Sequence, residues 1–174
     1  MRTKYRCIAR VEKTHGKKGE VVTVPVHGLP RLVRMGLEVA VVPPVVGSNR
    51  WHEVLEVTSS GKNGDLVRLS GSTCLSDAES LVGRYLLAPE SELPSDLALH
   101  DPARLIGRAV TDDEDRVGTI VEVLTGPAND VWVVRGPEGE ILLPVIDRVV
   151  SSVPDSGPIM VKVPAGLSWE RGGR

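Results

Sequence analysis

Residues 14–21 read Thr-His-Gly-Lys-Lys-Gly-Glu-Val. An alternating apolar run precedes them, Cys7-Ile8-Ala9-Arg10-Val11, and another follows, Val21-Val22-Thr23-Val24. Two extended segments on either side of a glycine-bracketed tip make a β-hairpin, because glycine accepts the positive φ that a tight reversal demands. The two lysines are not required by the turn. They display cations inside a segment that is already basic: Arg2, Lys4, Arg6, Arg10, Lys13, Lys17 and Lys18 are opposed there by Glu12 alone.

The same strand-and-turn pattern recurs along the 174 residues. Hydrophobic residues make up 41% of the chain while aromatics make up 3% and phenylalanine is absent, so any core is built from Val, Leu and Ile. Branching at Cβ suits a pleated surface better than a helix. Strands are expected over 6–14, 21–26, 38–46, 51–58 and 66–69, then over 108–111, 118–124, 130–135, 140–144, 149–153 and 159–163. Lys62-Asn63-Gly64-Asp65, Asp112-Asp113-Glu114-Asp115 and Gly136-Pro137-Glu138-Gly139 read as hairpin turns, the first by its Asn-Gly pair. One short helix is expected over 76–82, capped by Ser76 with Glu79 and stopped at Gly83.

Pro89-Glu90-Ser91-Glu92-Leu93-Pro94-Ser95-Asp96 interrupts the apolar pattern and reads as a linker. The charge balance changes there. Residues 1–88 hold 13 Lys and Arg against 8 Asp and Glu, whereas residues 89–174 hold 8 against 15. Such asymmetry points to charged macromolecular partners. The physical reading is two all-β modules of short strands, small barrels or sandwiches. Ser168 to Arg174 is expected to fray as a tail. No signal peptide or membrane-spanning stretch is visible, and Cys7 and Cys74 stand apart in apolar surroundings as buried thiols, so the chain is expected in the cytoplasm.

Templates for chemistry fail. His15, His27, His52 and His100 are scattered, with no His-x-x-x-His or Cys-x-x-Cys pair, so neither a metal nor a cofactor is expected. Gly16-Lys17-Lys18-Gly19 lacks the spacing of a phosphate-binding P-loop. The run 112–115 lacks the alternation of an EF-hand. No catalytic residue is assigned. Scarce aromatics argue against a base-stacking platform, leaving phosphate contact as the mode by which the basic segment would meet RNA. Asn129-Asp130 sits at a strand entrance, where side-chain oxygens fix turns. Trp132 is either core or an exposed anchor at a protein interface.

Taken together, these strings resemble the RimM family of ribosome maturation factors. The family's signatures are matched by Thr14-His15-Gly16-Lys17-Lys18-Gly19-Glu20-Val21, by Asp77-Ala78-Glu79 with Leu81 and Gly83, and by Leu105-Ile106-Gly107. Val117-Gly118, Gly126-Pro127-Ala128-Asn129-Asp130-Val131 and Leu143-Pro144 with Ile146 continue the match. The resemblance implies an all-β fold of two small β-barrels: a translation-factor-like barrel over 1–88 and a PRC-type barrel over 102–167. A proline-rich acidic linker, 89–101, joins them, and 168–174 follows as a flexible tail.

It implies a non-enzymatic, monomeric chaperone of small-subunit head assembly and 16S rRNA processing. Its partners would be the head ribosomal protein number nineteen and the immature subunit with its 16S rRNA, with no membrane. His15, Lys17 and Lys18 would face RNA or the ribosome. Leu97, Leu99, Asn129, Asp130 and Trp132 would meet the partner protein. The family's usual pair of adjacent tyrosines before the second barrel is missing here; Leu97 and Leu99 would supply apolar area instead, without the phenol hydroxyl or ring stacking. The competing readings are a small hydrolase using His15 or His100 and a generic PRC-barrel docking module.

Overall fold

A computed structural model describes residues 3–59, 61, 64–113, 115–126, 128–150 and 152–170. The chain divides into two compact units, Met1–Pro94 and Ser95–Arg174. The expected linker is therefore shared between them.

The first unit is a closed barrel of six strands: β1 (Tyr5–His15), β2 (Glu20–Pro25), β3 (Glu38–Val42), β4 (Trp51–Ser59), β5 (Asp65–Leu69) and β6 (Tyr85–Pro89). They follow one another around the wall as β1-β2-β5-β4-β3-β6, and β6 pairs antiparallel with β1 to close the ring. Ile8, Val11, Val21, Val39, Val41, Val54, Val67, Leu69 and Leu86 are fully buried. Closure leaves no unpaired sheet edge. Sequence reading missed β6, because Tyr85-Leu86-Leu87-Ala88 is apolar throughout and shows no alternation. Its alternation is one of burial, with Leu86 and Ala88 inward and Tyr85 and Leu87 outward. β3 stops at Val42 rather than reaching 46, since Pro43 and Pro44 have no N–H to extend the ladder. Lys62 and Asn63 of the expected Asn-Gly turn lie outside the described residues.

Helix α1 (Leu75–Leu81) packs on β1 and β2 and buries Ala78 and Leu81. Its cap differs from expectation. Cys74 is the N-cap, and Asp77 rather than Glu79 closes the box. Neither cysteine is the buried thiol expected: Cys74 is exposed and Cys7 is only partly buried. The Asp77 carboxylate accepts from Thr73 N at 2.8 Å, Thr73 Oγ1 at 3.1 Å and Cys74 N at 3.2 Å. The Thr73 amide foremost, with Cys74 and the Thr73 hydroxyl, holds that carboxyl below its ordinary range. A depressed carboxylate stabilises the fold above that range and ceases to as pH falls through its folded value. Asp77→Ala should lower Tm by a few degrees at neutral pH and flatten the acid limb of a Tm-against-pH curve. A parallel acid limb in wild type and variant would refute this.

The second unit is a five-stranded sheet, β7 (Ala109–Asp112), β8 (Asp115–Leu124), β9 (Val131–Gly136), β10 (Gly139–Pro144) and β11 (Ile159–Met160), in the order β10-β9-β8-β7-β11. β11 runs parallel to β7 and the other pairings are antiparallel. One core gathers Leu105, Val110, Ile120, Trp132, Val134, Ile141, Leu143 and Ile159. Helix α2 (Pro102–Leu105), unforeseen, is one turn capped by Asp101, whose carboxylate accepts from Ala103 N at 3.1 Å, with proline at the first position.

Two further expectations fail here. The strand expected over 149–153 does not form among its described residues: Val149 and Val150 are both buried, and both amides bond the Ile146 carbonyl, at 2.8 and 3.0 Å, in a turn. Nor is the tail loose at its start. Trp169 packs on the core, and Glu170 exchanges two backbone bonds with Glu140. Residues 171–174 lie outside the described residues.

Candidate partner-binding surfaces

In the first unit, Gly16-Lys17-Lys18-Gly19 forms a four-residue tip between β1 and β2, with His15 paired to Glu20 at its base. Gly16 and Gly19 have φ of +64° and +84°. His15, Lys17 and Lys18 are all exposed, so the three residues expected to face RNA do stand together. Among the described residues neither lysine is in an ion pair. Lys18 is close enough to Glu56 to help lower its carboxyl pKa, although the Arg68 guanidinium hydrogen-bonded to Glu56 does most of this. Arg2 lies outside the described residues.

The tip is held from below. Gly19 is buried, and Ser72 Oγ donates to its carbonyl at 2.7 Å. Ser72 adjoins Thr73, which Asp77 binds. Sequence segments 16–19 and 72–83, far apart in the chain, thus form one support. The Asp77-Ala78-Glu79 block holds the loop on which the hairpin rests.

In the second unit, a cleft of about 430 Å³ is lined by Leu99, His100, Asn129 and Ile146 with Asp96 and Asp147. His100 lies on a 3-10 turn, Leu97–His100, and its Nδ1 is 2.7 Å from Asp130 Oδ2. Asp130 is 8% exposed, and its carbonyl accepts from Val145 N at 2.8 Å. Beneath them Trp132 is fully buried and its Nε1 donates to the Leu99 carbonyl at 3.2 Å.

So Leu99, Asn129, Asp130 and Trp132 do converge, across thirty residues of sequence. Two corrections follow. Trp132 cannot be an exposed anchor; with no surface to offer a partner, it fixes the turn that carries Leu99. Leu97 shares that turn but does not line the cleft. His100 was missed as a partner of Asp130, since nothing local in the sequence links residues thirty apart. Among the described lining residues there is no serine, threonine or cysteine that the histidine could activate. Among the described residues, likewise, no three His, Cys, Asp or Glu cluster as metal ligands, and no helix is long and apolar enough to cross a membrane.

Comparison with known proteins bears on both units. Residues 102–167 match the RimM PRC barrel domain. A ribosome maturation factor RimM from Geobacillus kaustophilus is 32% identical, over 92% of this chain and 94% of its own. The chain belongs to the RimM family. A second RimM, from Pediococcus pentosaceus, is 30% identical over 94% of this chain and 98% of its own. The solution structure of the N-terminal domain of RimM from Thermus thermophilus is 24% identical, covers 52% of this chain and 95% of its own, and superposes with a TM-score of 0.42. The match over 102–167 makes the second unit a RimM PRC-type domain, and the closed six-stranded barrel precedes it in the chain.

Proposed function

We propose that this chain is a non-enzymatic assembly factor for the small ribosomal subunit that works as a monomer on the head domain and its 16S rRNA. Its relatives carry the name of ribosome maturation factor. The second unit docks a basic head protein, number nineteen by family resemblance. The first unit turns its β1–β2 hairpin towards immature rRNA.

The observation that carries this reading is the cleft around Leu99. Its apolar wall of Leu99, Val145 and Ile146 is rimmed by Asp96 and Asp147. Residues 95–174 hold 13 Asp and Glu against 8 Lys and Arg, whereas residues 1–94 hold 10 against 13. An apolar floor with an acidic rim suits a basic protein, and complementary fields steer and orient the encounter. Leu99 provides apolar area to this cleft in the absence of the family's usual tyrosine pair.

Replacing both Lys17 and Lys18 by glutamate should weaken co-sedimentation with immature small subunits about tenfold or more, with Tm unchanged, because two phosphate contacts become repulsions. Sucrose gradients of a depleted strain test the role itself: a deficit of small subunits with accumulated precursor rRNA is expected. Normal subunits and normal rRNA would sink it.

A further inference from the structure

Three of the chain's five aromatic residues, Tyr5, Trp51 and Tyr85, stand on the outside of the barrel along four neighbouring strands. Cross-strand partners share a face of a sheet. In the ladder Cys7 pairs with Leu87, Leu87 with Ala40, and Ala40 with Trp51. The next outward row is Arg10, Tyr85 and Val42. The rings of Tyr5 and Trp51 meet at 5.4 Å between centroids, and the Arg50 guanidinium lies 5.9 Å over Trp51. Beside them a groove of about 500 Å³ is lined by Cys7, Arg10, Val26, His27, Tyr85 and Leu87 together with Val42. None of these lining residues is acidic. Glu38 and Glu53, paired two positions beyond Ala40 and Trp51, bound the patch on its far side.

We propose that this face binds an unpaired RNA segment, bases stacking on Tyr85 and on the Tyr5–Trp51 pair, phosphates meeting Arg10 and Arg50. An aromatic residue next to an arginine occurs twice along the face: Arg50 lies over the Trp51 ring, and Arg10, whose guanidinium also reaches Glu12 at 4.0 Å, is the cross-strand partner of Tyr85. That repeats the alternation of base and phosphate in a single strand. An apolar peptide would use the groove but would leave both cations idle. Every base has a π-face, so recognition is tolerant of sequence. A duplex, with its bases stacked on each other, offers none to these rings. The count of aromatics in the sequence argued against stacking; the fold collects the few there are in one place. The hairpin lysines play no part in this inference.

The test is fluorescence anisotropy of the full chain with a labelled single-stranded RNA of roughly a dozen nucleotides, against a duplex of equal length. Binding to the single strand is expected, weakened about tenfold by Tyr85→Leu and by Trp51→Leu, which keep apolar bulk in the ladder. Arg10→Gln should weaken it and reduce the salt slope by about one. Equal affinity in all three variants, or a duplex bound as tightly as the single strand, would overturn the proposal. So would a photo-crosslinker at Val42 that captured protein and no RNA from immature subunits. The oligonucleotide assay needs no ribosome, so its failure would leave the assembly role standing.

Discussion

Trp132→Ala is expected to destabilise the second unit by about 3–5 kcal/mol. The side chain is fully buried at the centre of that unit's core, and the aliphatic residues around it can collapse only partly into the space an indole leaves. A hydrogen bond goes with it, leaving the Leu99 carbonyl without the Nε1–H that meets it at 3.2 Å. The cost should therefore appear twice: as a lower urea midpoint for the second unit, and as weakened capture of a basic head protein at temperatures where the unit is still folded. Trp132→Phe separates the two effects. It retains most of the apolar volume and removes the donor, so stability should fall by about 1 kcal/mol while the 3-10 turn loosens. A urea midpoint for Trp132→Ala within error of wild type would show that the indole is not packed as described.

Gly19→Ala should cost about 2–4 kcal/mol, a large effect for one added methyl. Two penalties combine. At φ +84° an L-residue is strained, and a Cβ there would fall 2.4 Å from the Ser72 carbonyl oxygen and 2.7 Å from the Thr73 amide nitrogen. Those neighbours are backbone, pinned in turn by Asp77, and cannot yield cheaply. Gly16→Ala is the internal control. Its φ of +64° carries the same kind of strain, yet the nearest atom to a new Cβ is the flexible end of Glu20 at 3.3 Å, so about 1 kcal/mol is expected. Equal melting temperatures for the two variants would contradict the close contact between hairpin and loop.

Much of the architecture was legible because strands in a half-buried wall write their period into the sequence. The hairpin at 14–21 was clear for that reason, as were the strands about Trp51 and Trp132. β6 was not, because a strand apolar on both faces has no period to read. Val149 and Val150 failed in the opposite way: two adjacent valines suggested a strand, but both turn inward from a tight bend. The helix cap was misplaced by two residues because Ser76 and Glu79 fit the usual capping-box residues better than Cys74 and Asp77 do, and only the path of the chain before the helix selects the latter. At the candidate sites the tip lysines could be read locally. The cleft could not, since His100 and Asp130 meet only after the sheet has formed, and Trp132, expected to meet a partner, lies buried beneath it.

The pairing of β6 with β1 has a consequence for how the chain is made. The first strand and the last strand of the barrel lie at opposite ends of some eighty-five residues, so the wall cannot close until Pro89 has left the ribosome that is translating it. Until then β1 and β3 each present an unpaired edge, the kind of surface that recruits other chains. Contacts this distant in sequence also form slowly. The chain thus passes, during its own synthesis, through an interval in which its first barrel is unfinished and exposed.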